Sequence, residues 1–297
     1  MAGIRQIKQR HRAISNIRKV TRTMEMISSA RYRRYYKRWK SSQPFFDGLA
    51  QLAYLMVTAE TKIDAPLLAD HSEGDLAVLV LGTDRGLCGA YNSNLMHMLE
   101  VHVKRAKRLR KRLRVYVSGR KTATQLRARH IPIEEELTGF DGIPTNEQSD
   151  KLSDELIERF CEKKICYAGV VYTRFYSNAS QRPQTLTLMP LYELIDDICT
   201  RTNVIWPWEA TFEDFEVSPP PKELFPEIAK MMVRSALAEC FIDAAASENL
   251  TRVNAMRNAS VNADEMLTNL SSEYNKARQG QITNELMDIV GGVEALS

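Results

Sequence analysis

No stretch of this sequence is long and apolar enough to span a bilayer. The longest unbroken apolar run is Leu76–Leu81, against the roughly 20 residues a membrane helix needs. Cysteine is sparse: Cys88, Cys161, Cys166, Cys199 and Cys240 are scattered and odd in number, which argues against a disulfide framework and fits a reducing compartment. Acid is nearly absent from the first forty residues, where thirteen Lys/Arg face the single Glu25. That segment carries +12, so the rest must sum to −8 for the chain to reach its net +4. Segregation of this kind marks an interaction surface. Glycine and proline are missing from Ile4 to Gln43 and again from Glu227 to Gln279, so nothing local interrupts a helix in either place.

The opening, Met-Ala-Gly-Ile followed by Arg5 and Lys8, lacks the apolar segment of a secretory signal and runs directly into a patterned helix; it reads as mature protein. With 44% hydrophobic and 26% charged residues among 297, the composition suits a folded chain of one large or two ordinary domains.

Ile4, Ile7, Ile14, Ile17, Val20, Met24 and Ile27 recur at intervals near three and four, a helical stripe. It continues as Tyr32, Tyr35, Tyr36 and Trp39, with Arg31, Arg33, Arg34, Lys37, Arg38 and Lys40 spread around them. Near the other end, alternate steps of three and four from Ile228 pass through Met231, Ser235, Ala238, Ile242, Ala245, Asn249, Arg252, Met256, Ala259, Ala263, Met266, Leu270, Glu273 and Ala277. This mostly apolar or small series predicts a coiled-coil seam whose alanines let two backbones approach closely.

The middle has a different texture. Strands are predicted at Leu76–Leu81, Leu113–Val117, Cys166–Thr173 and Gln184–Met189, and helices at Leu95–Arg112, Thr122–Arg129 and Ser149–Lys163. The fold class is therefore α/β: an open, mostly parallel, Rossmann-like sheet flanked by a long antiparallel coiled coil of the terminal helices. The predicted division is a helix over 1–60, an α/β domain over 70–195, an irregular connector over 196–222 and a helix over 223–297. A second basic block, Lys104–Arg114, holds eight Lys/Arg in eleven positions.

Length carries the argument further. A helix over Lys230–Ile289 would extend ~90 Å at ~1.5 Å per residue. A compact chain of this size has a radius of gyration of roughly 19 Å and a width near 50 Å. The chain cannot wrap such a rod; the N-terminal helix is its natural first partner, and Ile282, Leu286, Ile289 and Val290 at its tip still need housing by another molecule.

Candidate catalytic chemistry is weak. Gly82-Thr83-Asp84-Arg85-Gly86-Leu87-Cys88-Gly89 lies between a strand and a helix, where phosphate loops sit. It lacks both the Gly-Lys-Ser/Thr ending and the Rossmann glycine spacing, so it reads as a tight turn with Cys88 a small buried residue. Cys161 and Cys166 do not form a C-x-x-C pair. His11, His71, His97, His102 and His130 show no i, i+4 pairing, and no catalytic residue, metal or cofactor is assigned. The basic aromatic segment Arg31–Lys40 fits either nucleic acid or an acidic protein partner; the uncovered rod favours a protein socket, with a basic coiled-coil nucleic-acid binder as the alternative.

Three segments carry more than periodicity. Lys19-Val20-Thr21-Arg22-Thr23-Met24-Glu25-Met26-Ile27, the loop Gly82–Asn92, and a C-terminal set comprising Ser247-Glu248-Asn249, Arg252, Ala255-Met256, Asn258-Ala259, Tyr274–Gln279, Ile282-Thr283, Glu285-Leu286, Ile289-Val290 and Gly292 resemble the signatures of the ATP synthase gamma subunit family, in order and spacing across the full chain.

The resemblance implies the central stalk of a rotary F-type ATPase, without bond chemistry of its own, turning inside an alpha3beta3 hexamer to couple proton flow to ATP synthesis or hydrolysis. It implies alpha, beta and epsilon subunits and the membrane c-ring as partners, and peripheral attachment at the cytoplasmic face of a bacterial inner membrane. Positions matching the family's beta-subunit contacts are Met24, Arg252, Arg278, Gln279, Thr283 and Glu285, and Arg31, Arg33, Arg34, Lys37, Arg38 and Lys40 match a basic collar. The chain departs from the family at Ser28-Ser29-Ala30-Arg31, in the aromatic run after it, and at Ser218-Pro219 in the foot.

Overall fold

The computed structural model describes residues 2–58, 66–138, 140, 142–201, 218 and 220–294. The chain divides into two compact units, one of residues 1–30 with 252–297 and the other of residues 31–251. Helices α1 (Ala2–Thr58) and α6 (Pro221–Glu294) contribute to both.

The larger unit is built on five strands: β1 (Asp75–Leu81), β2 (Leu113–Ser118), β3 (Glu135–Leu137), β4 (Ile165–Ser177) and β5 (Ser180–Met189). Their order is β3-β2-β1-β4-β5, parallel except for the antiparallel β4–β5 hairpin. Alternation along β1 divides the core. Leu76, Val78 and Val80 face α2 (Tyr91–Leu109) and α3 (Arg120–Ala128), while Ala77, Leu79 and Leu81 pack toward α4 (Asn146–Cys161), α5 (Leu191–Arg201) and the early part of α6. A run apolar on both faces is what a sheet covered on both sides requires.

Local rules explain most boundaries. α4 begins at a capping box in which the Thr145 hydroxyl accepts from the Gln148 amide at 3.3 Å and Gln148 Oε1 accepts from the Thr145 amide at 2.9 Å. α2 stops at Leu109 because Arg110 adopts φ 54°, closed by the Lys111 amide on the Ala106 carbonyl at 3.0 Å. Two elements escaped the sequence. β3 is three residues, two of them acidic, recruited by pairing with β2. Helix α5 runs to Arg201 and so occupies the first residues of the segment read as an irregular connector, because Leu191, Leu194 and Ile195 bury against the sheet; residues 202–217 and 219 of that segment lie outside the described residues.

His102 is buried between α2 and β5, with Nε2 2.9 Å from the Thr185 hydroxyl. Burial, aided by the Arg105 charge, lowers its pKa from 6.5 to about 4. The unfolded chain therefore binds the extra proton first, so this group costs nothing above pH 6.5 and withdraws up to about 3 kcal/mol of stability as pH falls through 6.5 to 4. Chemical denaturation of His102→Gln is expected to show a flatter pH dependence over that interval than the parent.

In the smaller unit α1 and α6 run antiparallel. Arg18 pairs with Asp264 at 2.8 Å, Thr21 with Ser260 at 2.8 Å and Glu25 with Arg257 at 2.9 Å, one residue number rising as the other falls.

Candidate partner-binding shaft

The register of this helix pair is the central structural finding. On α6 the buried or half-buried positions from Met256 onward are Met256, Ala259, Ser260, Ala263, Leu267, Leu270, Tyr274, Ala277 and Gln281. The predicted seam shares Ala259, Ala263, Leu270 and Ala277 with this set but used Met266 and Glu273, which are exposed. Met266 is exposed and Leu267 buried, so the three-four alternation swaps phase after Met256. On α1 the buried or half-buried positions as far as Ser29 are Ile4, Ile7, His11, Ile14, Ser15, Arg18, Thr21, Met24, Glu25, Ser28 and Ser29. Three residues of the predicted stripe turn outward instead: Ile17 is 51% exposed, Val20 54% and Ile27 45%. The physical reason is visible in the cross-links above. Around Thr21 and Ser260 hydroxyl and ion pairs close the interface, and Ile17, Val20 and Ile27 are left on the outside while Ile4, Ile7, Ile14 and Leu267 remain within.

Ile17, Val20, half-exposed Met24 and Ile27 follow i, i+3, i+7 and i+10 spacing, a stripe along one helix face. Exposed Val261 and Met266 lie on α6, and Ile282, Leu286 and Ile289 repeat at i, i+4, i+7 near its end, all exposed. A helix pair that keeps aliphatic stripes on its outer face as well as inside presents a surface built to be covered. The signal for this was present in the sequence: Arg18, Thr21, Glu25 and Ser28 share their own helical spacing with Ile4, Ile7 and Ile14.

Of the family-matched contact positions, Arg278, Gln279, Thr283 and Glu285 are exposed and Met24 half-buried. Thr283 donates to the Gln279 carbonyl at 3.0 Å and Gln281 donates to Glu285 at 2.7 Å, so these side chains are steadied within their own helix. Arg252 differs. At 8% exposure it is buried, which corrects the expectation of a surface residue. In the basic collar, Arg33, Arg34, Lys37, Arg38 and Lys40 are exposed and Arg31 half-buried. Arg34 donates to the Tyr35 hydroxyl at 3.0 Å and Arg38 to Asn146 at 3.3 Å. None of the six pairs with a carboxylate among the described residues.

The glycine loop is closed by its own neighbours. The Thr83 amide donates to Thr122 Oγ1 at 3.1 Å, Thr122 donates to Asn92 Oδ1 at 3.1 Å, and Asn92 donates to Thr83 Oγ1 at 2.7 Å. A methyl group at Gly82 would lie 1.8 Å from Thr122 Oγ1. The space a phosphate would need is filled by protein. Cys88 is buried beside this ring, its Sγ 3.8 Å from Thr83 Oγ1.

Comparison with known proteins decides the family. The family described as ATP synthase matches residues 3–296. The chain belongs to the ATP synthase gamma chain family. The ATP synthase gamma chain of Trichormus variabilis is 36% identical over 100% of both chains, and that of Rhodopirellula baltica is 33% identical over 100% of this chain and 99% of its own. Among solved structures, a chain of the Euglena gracilis mitochondrial ATP synthase OSCP/F1/c-ring assembly has a TM-score of 0.66 at 16% identity, covering 99% of this chain and 95% of that one. A chain of the Tetrahymena thermophila ATP synthase central stalk and c-ring has a TM-score of 0.55 at 17% identity, covering 81% of this chain and 99% of that one. These last two likenesses bear on the fold. They match what the gamma chain family requires of it: a mostly parallel sheet and two long terminal helices.

Proposed function

We propose that this chain is the central-stalk rotor of an F-type ATP synthase, with no bond chemistry of its own. The observation that carries this is the outer face of the helix pair, where Ile17, Val20, Ile27, Val261 and Met266 stand exposed although the two helices are already paired with each other. Such a surface suits a sleeve of alpha and beta subunits, three of each. Because the stripes of α1 and α6 differ, each beta subunit meets a different face as the shaft turns. A face that fits the closed state better than the open one shifts that equilibrium by the difference in contact free energy, and nucleotide affinity follows.

In this reading Met24, Arg278, Gln279, Thr283 and Glu285 touch beta subunits. Arg31, Arg33, Arg34, Lys37, Arg38 and Lys40 form the collar that meets acidic loops. Arg252, being buried, acts by holding its helix in place. The α/β domain stands with the epsilon subunit on the c-ring, so attachment to the bacterial inner membrane is peripheral and cytoplasmic; none of the described helices is long and apolar enough to cross a membrane. Proton flow through that ring is the drive. The aromatic run that suggested nucleic acid is engaged elsewhere: Tyr32, Tyr36 and Trp39 pack on Phe175, which takes ring faces that bases would stack on.

The test is reconstitution with alpha and beta subunits from the same source. The expected result is a complex containing one copy of this chain per hexamer with ATPase activity; active hexamers that leave the chain out would contradict the rotor role.

A further inference from the structure

β4 is longer than the sheet needs. Its last residue paired to β1 is Val171, opposite Val80, yet it continues to Ser177 with only β5 beside it, from Tyr172 opposite Gln184 to Ser177 opposite Ser180. This two-stranded arm projects on the order of 20 Å beyond the sheet. An isolated ribbon of that kind is marginal in water, so its far end needs a support.

The support is the aromatic run of α1. Phe175, buried near the arm's end, has its ring centroid 5.1 Å from Trp39, 5.8 Å from Tyr36 and 6.0 Å from Tyr32, with edge-on geometry to the first two. The Tyr32 hydroxyl donates to Asn178 in the turn itself. On the other side Phe175 shares its cluster with Ala245 and Ala246 of α6, whose small side chains admit the arm closely. One phenylalanine thus ties the hairpin to both long helices. The sheet's own face is fixed to α6 separately, through Phe225, Ile228, Met232 and Val233.

Two separated attachments resist twisting where one would permit a pivot, because a second contact at the end of an arm opposes rotation with a lever. Building on the rotor reading, we infer that the β4–β5 hairpin is a torque brace: Phe175, held by Tyr32, Tyr36 and Trp39, fixes the sheet against the parts of α1 and α6 that lie in the same unit, so that torque on the one is carried by the other. Phe175 is a positioning residue in this scheme. It touches no nucleotide and sets how stiffly motion passes along the chain.

The test uses the assembled ATP synthase, immobilised through its hexamer and paused at low ATP, with an optical probe on the α/β domain. At thermal equilibrium the variance of the probe's angle is inversely proportional to the stiffness of everything between hexamer and probe. Phe175→Ala is expected to raise that variance severalfold with unloaded ATP hydrolysis unchanged, and Phe175→Tyr to stay near the parent. A variance unaltered in Phe175→Ala would overturn the brace. A second arm adds a tie: Tyr32→Cys and Asn178→Cys, joined by a short bis-maleimide that spans the length of the lost tyrosine ring, should lock arm to helix and leave rotation and ATP synthesis intact. Rotation stopped by that cross-link would overturn the brace, since it would show that the hairpin must move against α1. Parent chain excluded from active hexamers would instead refute the rotor role, and the brace with it.

Discussion

Phe225→Ala is expected to destabilise the α/β unit by about 3–5 kcal/mol, the cost of emptying a buried aromatic site that its surroundings only partly refill. Phe225 is fully buried in the cluster that joins the sheet, α4, α5 and α6. It stands one position before Pro226, inside the helix that continues to Glu294. Equilibrium unfolding in urea, read by tryptophan fluorescence and circular dichroism, gives the value. A loss below about 1 kcal/mol, the ordinary range for an exposed site, would mean that the first turns of α6 do not complete this core.

Arg252→Ala and Gln279→Ala should separate cleanly, though both positions match the same family motif. Arg252 is buried and partnered, so its removal leaves buried polar groups unsatisfied and costs about 1–3 kcal/mol of stability. Gln279 is exposed, so its loss shifts stability by no more than about 0.5 kcal/mol while lowering ATP turnover in the assembled complex. Unfolding midpoints of the isolated variants and ATPase rates of reconstituted hexamers decide the matter. If Arg252→Ala is as stable as the parent, or Gln279→Ala turns over as fast, the division of roles between the two positions is wrong.

The sequence disclosed the architecture through strong local signals. The unbroken apolar run Leu76–Leu81, the apolar run beginning at Cys166 and the absence of proline after Pro226 were such signals. Elements whose existence depends on tertiary pairing were not legible: Glu135–Leu137 has no strand character of its own, and β2 makes it one. Pro44 did not alter the helix reading. It lies within the span 1–60 read as one helix, and α1 passes through it to Thr58, with Phe46 and Leu49 just beyond it buried in the core of the α/β unit.

The shaft was legible in outline and misread in register. Periodicity assigned Ile17, Val20 and Ile27 to the seam because apolar residues at helical spacing ordinarily face a helix partner. At these three positions the protein does the reverse: Thr21, Ser28 and Ser260 are buried while Ile17, Val20 and Ile27 are exposed. Among the matched contact positions, the motif located Gln279 and Thr283 on an exposed face. It could not distinguish them from Arg252, because burial depends on what packs against a position and a motif records only its identity.

The central claim is that the outer face of the helix pair is built to be enclosed by other subunits. Hydrogen exchange of the backbone amides over Val261–Ile289, measured for the chain alone and within the reconstituted hexamer, tests it most directly. Frayed and solvent-facing turns exchange at low opening cost, and enclosure raises that cost. The account predicts markedly slower exchange over this segment in the hexamer than in the free chain. Equal exchange in the two states, with the chain incorporated, would contradict it.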